Sequence, residues 1–324
     1  MSSKKVLIIS PLYTREPATL GSWLCEKLVH NDVQAKKILT KDSTTVTLIE
    51  VLKELSLSNI TLVMLGFTSD VAQPIAHDLW AALAKLKDER QVALLWASNY
   101  GTLPYNLATV SGMRSLGKSL TNRAYHCLVT PLLAELGIEL TEDDYELLKA
   151  LDGLAQGKPL EAPQQRLLCL YRVYGTALYK QPSIKLLHLK TAVSPELLEG
   201  YQSQRDDFIK EACIKRLHTV TEGNVVINVI MADQFTQELN AVLFKVNSQK
   251  RVLNFIINQV YTNNRVHMLV RSSYYDCRKI ATFIVDHEVT GLSQACSMNV
   301  NIPVTAKIFS DGLAEGLLPK LKSN

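Results

Sequence analysis

The chain has 324 residues, of which 47% are hydrophobic and 20% charged, and its formal net charge is +4. That length gives room for two domains of about 150 residues each and a sizeable core. The near-balanced charge excludes a polybasic nucleic-acid arm and a disordered acidic tail. The six cysteines include no C-x-x-C pair, which argues against a zinc ribbon and against a secreted disulfide framework. "MSSKKVLIIS" is too short an apolar stretch for a signal-peptide core, and no run approaches the roughly eighteen apolar residues of a membrane span. These features predict a reduced, cytoplasmic protein that does not enter a membrane.

"KKVLIIS" is rich in β-branched residues and predicts a buried parallel strand ending near Pro11. "ATLGSWLCEKLVH" places Leu20, Leu24 and Leu28 on one helical face. A helix over "TLIEVLKELS", a strand "NITLVMLGF", a helix over "VAQPIAHDLWAALAKLKDE" and a strand "QVALLWAS" follow. Strands alternating with helices predict a parallel sheet with any site at the carboxyl ends of its strands. The chain then turns helical through "GKSLTNRAYHCLVTPLLAELG", "TEDDYELLKALDGLAQ" and "APQQRLLCLYRVYGTALYK", with Thr141 as the N-cap of the second of these. The polar helix "SPELLEGYQSQRDDFIKEACIKRLHTV" opens with Ser194-Pro195 and reads as a solvated connector.

Beyond it the period changes again. "NVVINVIMA" predicts a strand, "QFTQELNAVLF" a helix, "RVLNFIINQVY" and "RVHMLVRSS" a hairpin around "TNN", "YDCRKIATFIV" a helix, and "CSMNVNIPV" a strand. The fold class expected is α/β, with a parallel-sheet domain over residues 1–190, a connector helix over 191–220 and a smaller mixed α/β domain over 221–324.

The order of these parts, and several short strings, resemble the DHH phosphoesterase superfamily, whose members include RecJ-like exonucleases, nano-RNases, cyclic-dinucleotide phosphodiesterases and manganese pyrophosphatases. In "SPLYTREPATLGSWL", Gly21-Ser22 matches the family's helix start, and Glu16 falls where one metal-binding aspartate would be. The second aspartate falls on Ala18 and the histidine on Pro11. The next family aspartate falls on Gly66, and the Asp-His-His that names the family falls on Trp96, Ala97 and Ser98. Asp152 matches a last metal-binding aspartate. The resemblance therefore implies a two-manganese site of which only Glu16 and Asp152 remain as carboxylates. Such a site needs several carboxylates and imidazoles to hold the ions and activate a bridging water.

The family's second domain grips substrate phosphate with a strand ending in Ser-Leu-Arg-Ser and a later glycine-rich loop. "HMLVRSSYYDCRKIATFIVDHEVTGLSQACSM" follows that plan, with Arg271 and Ser272 matching, Ser273 beside them, Ala295 on a family alanine and Gly291 as the one loop glycine left. Leu292 stands where the loop histidine belongs. A phosphate cradle needs inward N–H groups at dihedrals that glycine permits and Val289 or Thr290 resists. A guanidinium with neighbouring hydroxyls suits an anion, and an arginine paired with a local acid is the competing reading.

Other titratable clusters carry less chemistry. Asp286-His287-Glu288 point in different directions and cannot all reach one ion, and His77-Asp78 reads as a solvated pair on a helix. Arg114, Lys118 and Arg123 border the strand ends or form a solvated helix face. Ser10, Ser22 and Ser98 lack a nucleophile signature, and no Walker A or dinucleotide fingerprint occurs.

Two functions follow as expectations. One is a catalytically inactive DHH-type pseudo-phosphoesterase that needs no cofactor and binds a nucleic acid, a phosphorylated small molecule or a protein partner. The other is a diverged metal-dependent phosphodiesterase or exonuclease that uses manganese or magnesium with Glu16, Asp152 and either Asp70 or His126.

Overall fold

The first apolar run forms strand β1, Lys5–Pro11, in the computed structural model of the protein. The structure describes residues 5–55, 60–67, 73–90, 93–97, 113–115, 125–155, 160–180, 186–262, 265–272, 274–285, 291–292, 295–301, 312, 315–319 and 321. The chain divides into two units, one of residues 1–152 and 162–194, the other of residues 153–161 and 195–324.

In the first unit β1 lies between β2 (Gln34–Thr40) and β3 (Ile60–Leu65), followed by β4 (Ala93–Ala97) and β5 (Met113–Ser115) in the order β2-β1-β3-β4-β5. Every pairing is parallel, as the strand-helix alternation requires. Side chains alternate across the strands, so Leu7, Ile9, Leu62 and Met64 share one face. Helices α2 (Thr45–Glu54) and α3 (Gln73–Arg90) cover that face with Leu48, Leu52, Leu79 and Leu83. Ile8 points the other way, toward α1 (Arg15–His30), which approaches so closely at Gly21 that a Cβ there would lie 3.3 Å from Ile8 Cγ2. Burying one leucine-sized side chain contributes roughly 1.5–3 kcal/mol, so these two faces dominate the unit's stability.

Three helices follow the sheet, α4 (Tyr125–Glu135), α5 (Glu142–Ala155) and α6 (Ala162–Tyr174). Thr141 caps α5 as its sequence predicts. The Thr141 amide donates to Asp144 Oδ2 at 2.8 Å and the Asp144 amide donates to Thr141 Oγ1 at 3.4 Å, a reciprocal box that satisfies two end N–H groups. Asp144 also ties α5 to α1, accepting from Trp23 Nε1 at 2.9 Å and from Lys27 Nζ at 2.6 Å.

A short helix α7 (Leu189–Ala192) precedes α8 (Pro195–Lys215), which begins the long segment of the second unit. Its sheet has the order β10-β11-β9-β8-β7-β6, built from β6 (Leu217–Glu222), β7 (Val225–Met231), β8 (Arg251–Thr262), β9 (Arg265–Ser272), β10 (Gly291–Leu292) and β11 (Ala295–Asn301). Among the described residues β7 and β8 pair in parallel and the other neighbours antiparallel, so the sheet is mixed. One face packs Val225, Ile227, Phe255 and Val270 against α10 (Cys277–Val285) and Leu317. The other packs Ile230 and Ile256 against α8 and against Leu239 and Leu243 of α9 (Thr236–Val246).

Three elements differ from the sequence expectation. "QAKKILT" forms strand β2, although its pattern reads as no element, because an edge strand with one exposed flank tolerates lysines. The polar helix stops at Lys215, and Leu217–Glu222 becomes β6, drawn into antiparallel pairing with the apolar β7. Arg114 lies on strand β5 and not on a helix face, paired opposite Leu95. Among the described residues no helix is long and apolar enough to cross a membrane.

Candidate functional site

The motif positions of the first unit meet where β1 and β3 end and α1 begins. Strand β1 ends at Pro11, and the Leu12 amide donates to the Thr40 carbonyl at 2.8 Å, which turns the chain toward α1. Gly66 follows β3 with φ of +74°, a left-handed conformation that a side chain resists. A Cβ at Gly66 would stand 2.3 Å from Pro17 Cγ, 2.4 Å from Pro17 Cβ and 3.6 Å from Pro11 Cδ. The space that a side chain at Gly66 would need is therefore filled by the Pro17 ring. Ala18, at another motif position, is fully buried.

The first turn of α1 is held by hydroxyls. Thr19 Oγ1 donates to the Arg15 carbonyl at 2.7 Å and lies 2.7 Å from the Tyr171 hydroxyl and 3.3 Å from that of Tyr179. The Arg15 guanidinium sits 5.5 Å above the Tyr171 ring. Burial, joined by the negative charge of nearby Glu16, pushes both phenol pKa values well up, so these hydroxyls stay neutral. Half-buried Glu16 thus faces a neutral phenolic clasp. Asp152 is half-buried in the last turns of α5 and has a polar partner.

Coordination chemistry does not fit this set. Proline, alanine and glycine offer no side-chain donor, and among the described residues no three His, Cys, Asp or Glu side chains converge to hold a metal ion. The two-manganese arrangement that the sequence resemblance implies is not supported by the residues at Pro11, Ala18 and Gly66. Trp96 and Ala97 close strand β4, while Ser98, Asp70, Lys118 and Arg123 lie outside the described residues, as does the side chain of His126. Ser10 Oγ is buried with no hydrogen-bond partner among the described residues, and Ser22 Oγ accepts from Lys37, so neither serine is set against an imidazole. His77 stacks on Trp80 at 5.9 Å on the outer side of α3.

In the second unit β9 delivers Arg271 and Ser272 to the turn that leads into α10. Ser272 is 2% exposed, and its hydroxyl donates to the Val252 carbonyl at 2.8 Å while accepting from the Tyr275 amide at 3.0 Å and the Tyr274 amide at 3.1 Å. A hydroxyl has one proton to donate, and Ser272 commits it to the backbone. With these three bonds its hydroxyl builds the turn.

Arg271 is half-buried and makes no ion pair among the described residues. Its charge lies near the thiols of Cys277 and Cys296 and draws their pKa values down, but burial is the larger effect and leaves Cys296 at about 12 and Cys277 higher. The neighbouring Arg278 is occupied by Asp276, with Nη2 at 2.9 Å and Nε at 3.1 Å from the carboxylate. Across the turn the Arg251 guanidinium sits 4.1 Å above the ring of Tyr274, which is 55% exposed. Sequence reasoning missed this pair because only the β8–β9 register brings Arg251 to the turn. Gly291 lies in β10 opposite Cys296, while Ser273 and Asp286-His287-Glu288 fall outside the described residues.

No family model matches the sequence, and no curated protein matches it in sequence. Its fold has counterparts. An exopolyphosphatase-related protein of Bacteroides fragilis is similar with a TM-score of 0.51 at 11% identity, over 99% of this chain and 94% of that one. RecJ of Thermus thermophilus, solved with Mn2+, is similar with a TM-score of 0.49 at 13% identity, over 97% of this chain and 52% of that one, so the chain spans about half of its length. A pGpG-specific phosphodiesterase of Vibrio cholerae gives a TM-score of 0.46 at 10% identity, over 99% of both chains. The likeness to the exopolyphosphatase-related protein shows that the two share an α/β fold.

Proposed function

We propose that this protein is a DHH-like scaffold that no longer hydrolyses phosphoesters and works as a binding module for a nucleic acid, a nucleotide or a protein partner. The observation that carries this reading is the packing of Pro17 against Gly66, which crowds out a side chain, and so a metal-binding carboxylate, at that motif position. An enzyme that had merely exchanged its metal would need new donors nearby. None converge among the described residues.

For binding, the reading rests on the turn after β9. Arg271 supplies a guanidinium without an acidic partner among the described residues, and Tyr274 presents an exposed ring beneath Arg251. Guanidinium groups suit phosphate and exposed rings stack on bases, so single-stranded nucleic acid or a nucleotide is the ligand class favoured here.

The experiment is an assay of the purified protein with manganese against short oligonucleotides, cyclic dinucleotides, pyrophosphate and bis-p-nitrophenyl phosphate. No turnover is expected, and turnover abolished by Asp152→Ala would overturn the inactive reading. Fluorescently labelled single-stranded DNA and RNA then test binding, which should weaken as salt rises. Absence of nucleic-acid binding at low salt would leave the protein partner as the surviving reading.

A further inference from the structure

Further along α1, Ser22, Cys25, Glu26 and Val29 follow one another at helical spacing and line a cavity of about 450 Å³, bordered also by Lys37 of β2 and by Tyr179, Lys180, Leu187 and His188. All of these residues belong to the first unit. Inside the cavity the Lys37 ammonium donates to Ser22 Oγ at 3.0 Å. Burial lowers the Lys37 pKa and raises that of the Cys25 thiol, each offset in part by the other, so the cation sits in a partly dehydrated place. An ammonium has three protons to donate, and the serine takes one.

The charge around the cavity is lopsided. The ammonium groups of Lys37 and Lys180 and the imidazoles of His30 and His188 border it with one carboxylate, Glu26, whose charge acts on Lys37 and whose Oε2 accepts from the Leu186 amide at 2.9 Å. His188 turns Nδ1 toward Asp143 at 3.4 Å, which leaves Nε2 for another partner. Val29, 55% exposed, and Leu187 add an apolar side. A half-dehydrated ammonium facing this space is best balanced by a bound anion, and two ammonium groups against one carboxylate suit a phosphoryl group, which accepts several hydrogen bonds. The volume lies within the range of about 300–1,000 Å³ usual for small-molecule sites and exceeds the need of a bare inorganic ion.

We infer that this cavity is a binding site for a small organic phosphate monoester, whose phosphoryl group meets Lys37 and whose apolar part lies against Val29 and Leu187. The site is separate from the turn at Arg271 and does not depend on the loss of hydrolysis proposed above.

Phenyl phosphate, inorganic phosphate and benzoate serve as probes, measured by calorimetric titration of the full chain. Phenyl phosphate should bind more tightly than the other two. Lys37→Met should weaken it at least tenfold, and Lys36→Met, on the exposed side of the same strand, should leave it unchanged. Arg271→Ala should also leave it unchanged, which separates this site from the one proposed in the second unit. Should Lys37→Met fail to fold, Lys180→Met at the exposed mouth gives the second reading, with weakening of threefold or more expected. No heat from phenyl phosphate with the wild type, equal binding of benzoate, or undiminished binding by a folded Lys37→Met protein would overturn the assignment.

Discussion

Pro17 occupies the volume that a side chain on Gly66 would require, with its Cγ 2.3 Å from where a Cβ would stand. The backbone at Gly66 is also left-handed, with φ of +74°. Gly66→Asp should therefore cost stability, by about 3 kcal/mol from overpacking and backbone strain together. Urea denaturation measures it. A variant within about 1 kcal/mol of wild type would show that the site can still open for a carboxylate.

The Lys27–Asp144 ion pair is buried, with side-chain exposures of 6% and 1% and a separation of 2.6 Å. Removing one partner leaves the other charge without compensation, so Lys27→Met should destabilise by about 3–5 kcal/mol. Chemical unfolding at neutral pH is the check.

The same pair predicts a pH dependence. Burial alone would raise the Asp144 pKa, but hydrogen bonds from Lys27, Thr141 and Trp23 together hold it below the ordinary carboxylate value. The folded pKa is depressed, so its stabilisation is fully present above the unfolded value of about 3.9 and is lost as pH falls through the lower folded value. Unfolding free energies across the acid range should show this loss in the wild type, and it should be much smaller in Lys27→Met.

A second polar chain crosses the core of the other unit. Thr219 Oγ1 donates to Asn228, Asn228 to Asn254 and Asn254 to Asn240, at 2.9, 2.8 and 2.9 Å. Asn254 is fully buried, and its removal orphans a donor on Asn228 and an acceptor on Asn240. Asn254→Ala should cost about 3 kcal/mol, and Asn228→Ala with Asn254→Ala should cost less than the sum of the single changes. Additive costs in thermal unfolding would show that the amides act independently.

Ser272 and Arg271 are neighbours with separable roles. Ser272→Ala removes a hydroxyl that joins one carbonyl and two amides, so it should destabilise by about 1–3 kcal/mol. Arg271→Ala should change stability by about 1 kcal/mol or less and yet weaken binding of labelled oligonucleotide. Paired unfolding and binding measurements distinguish the two, and an Arg271 variant that binds as wild type would remove the turn from the proposed function.

Much of this protein was legible from its residues. The apolar runs with β-branched side chains and the helical spacing between them called for a parallel sheet, and β1, β3 and β4 form one. The Thr141 cap could be read because a capping box is local, complete within four residues. Strands β2 and β6 could not, since each lies at the edge of its sheet and takes its conformation from the neighbour it pairs with. The same limit applies to the turn after β9, where Arg271 is visible as a residue type but Arg251 reaches Tyr274 only through strand register.

The sequence alone determined that Pro11, Ala18 and Gly66 carry no metal donors, because that is a matter of residue type. Only the tertiary structure decided how the space around these positions is filled and where the nearby polar groups point. Pro17 closes over Gly66, Ser272 turns its proton inward, and Lys37 is half-buried against Ser22. Those outcomes depend on contacts between residues distant in the chain, where packing and desolvation, rather than side-chain identity, set what a group can do.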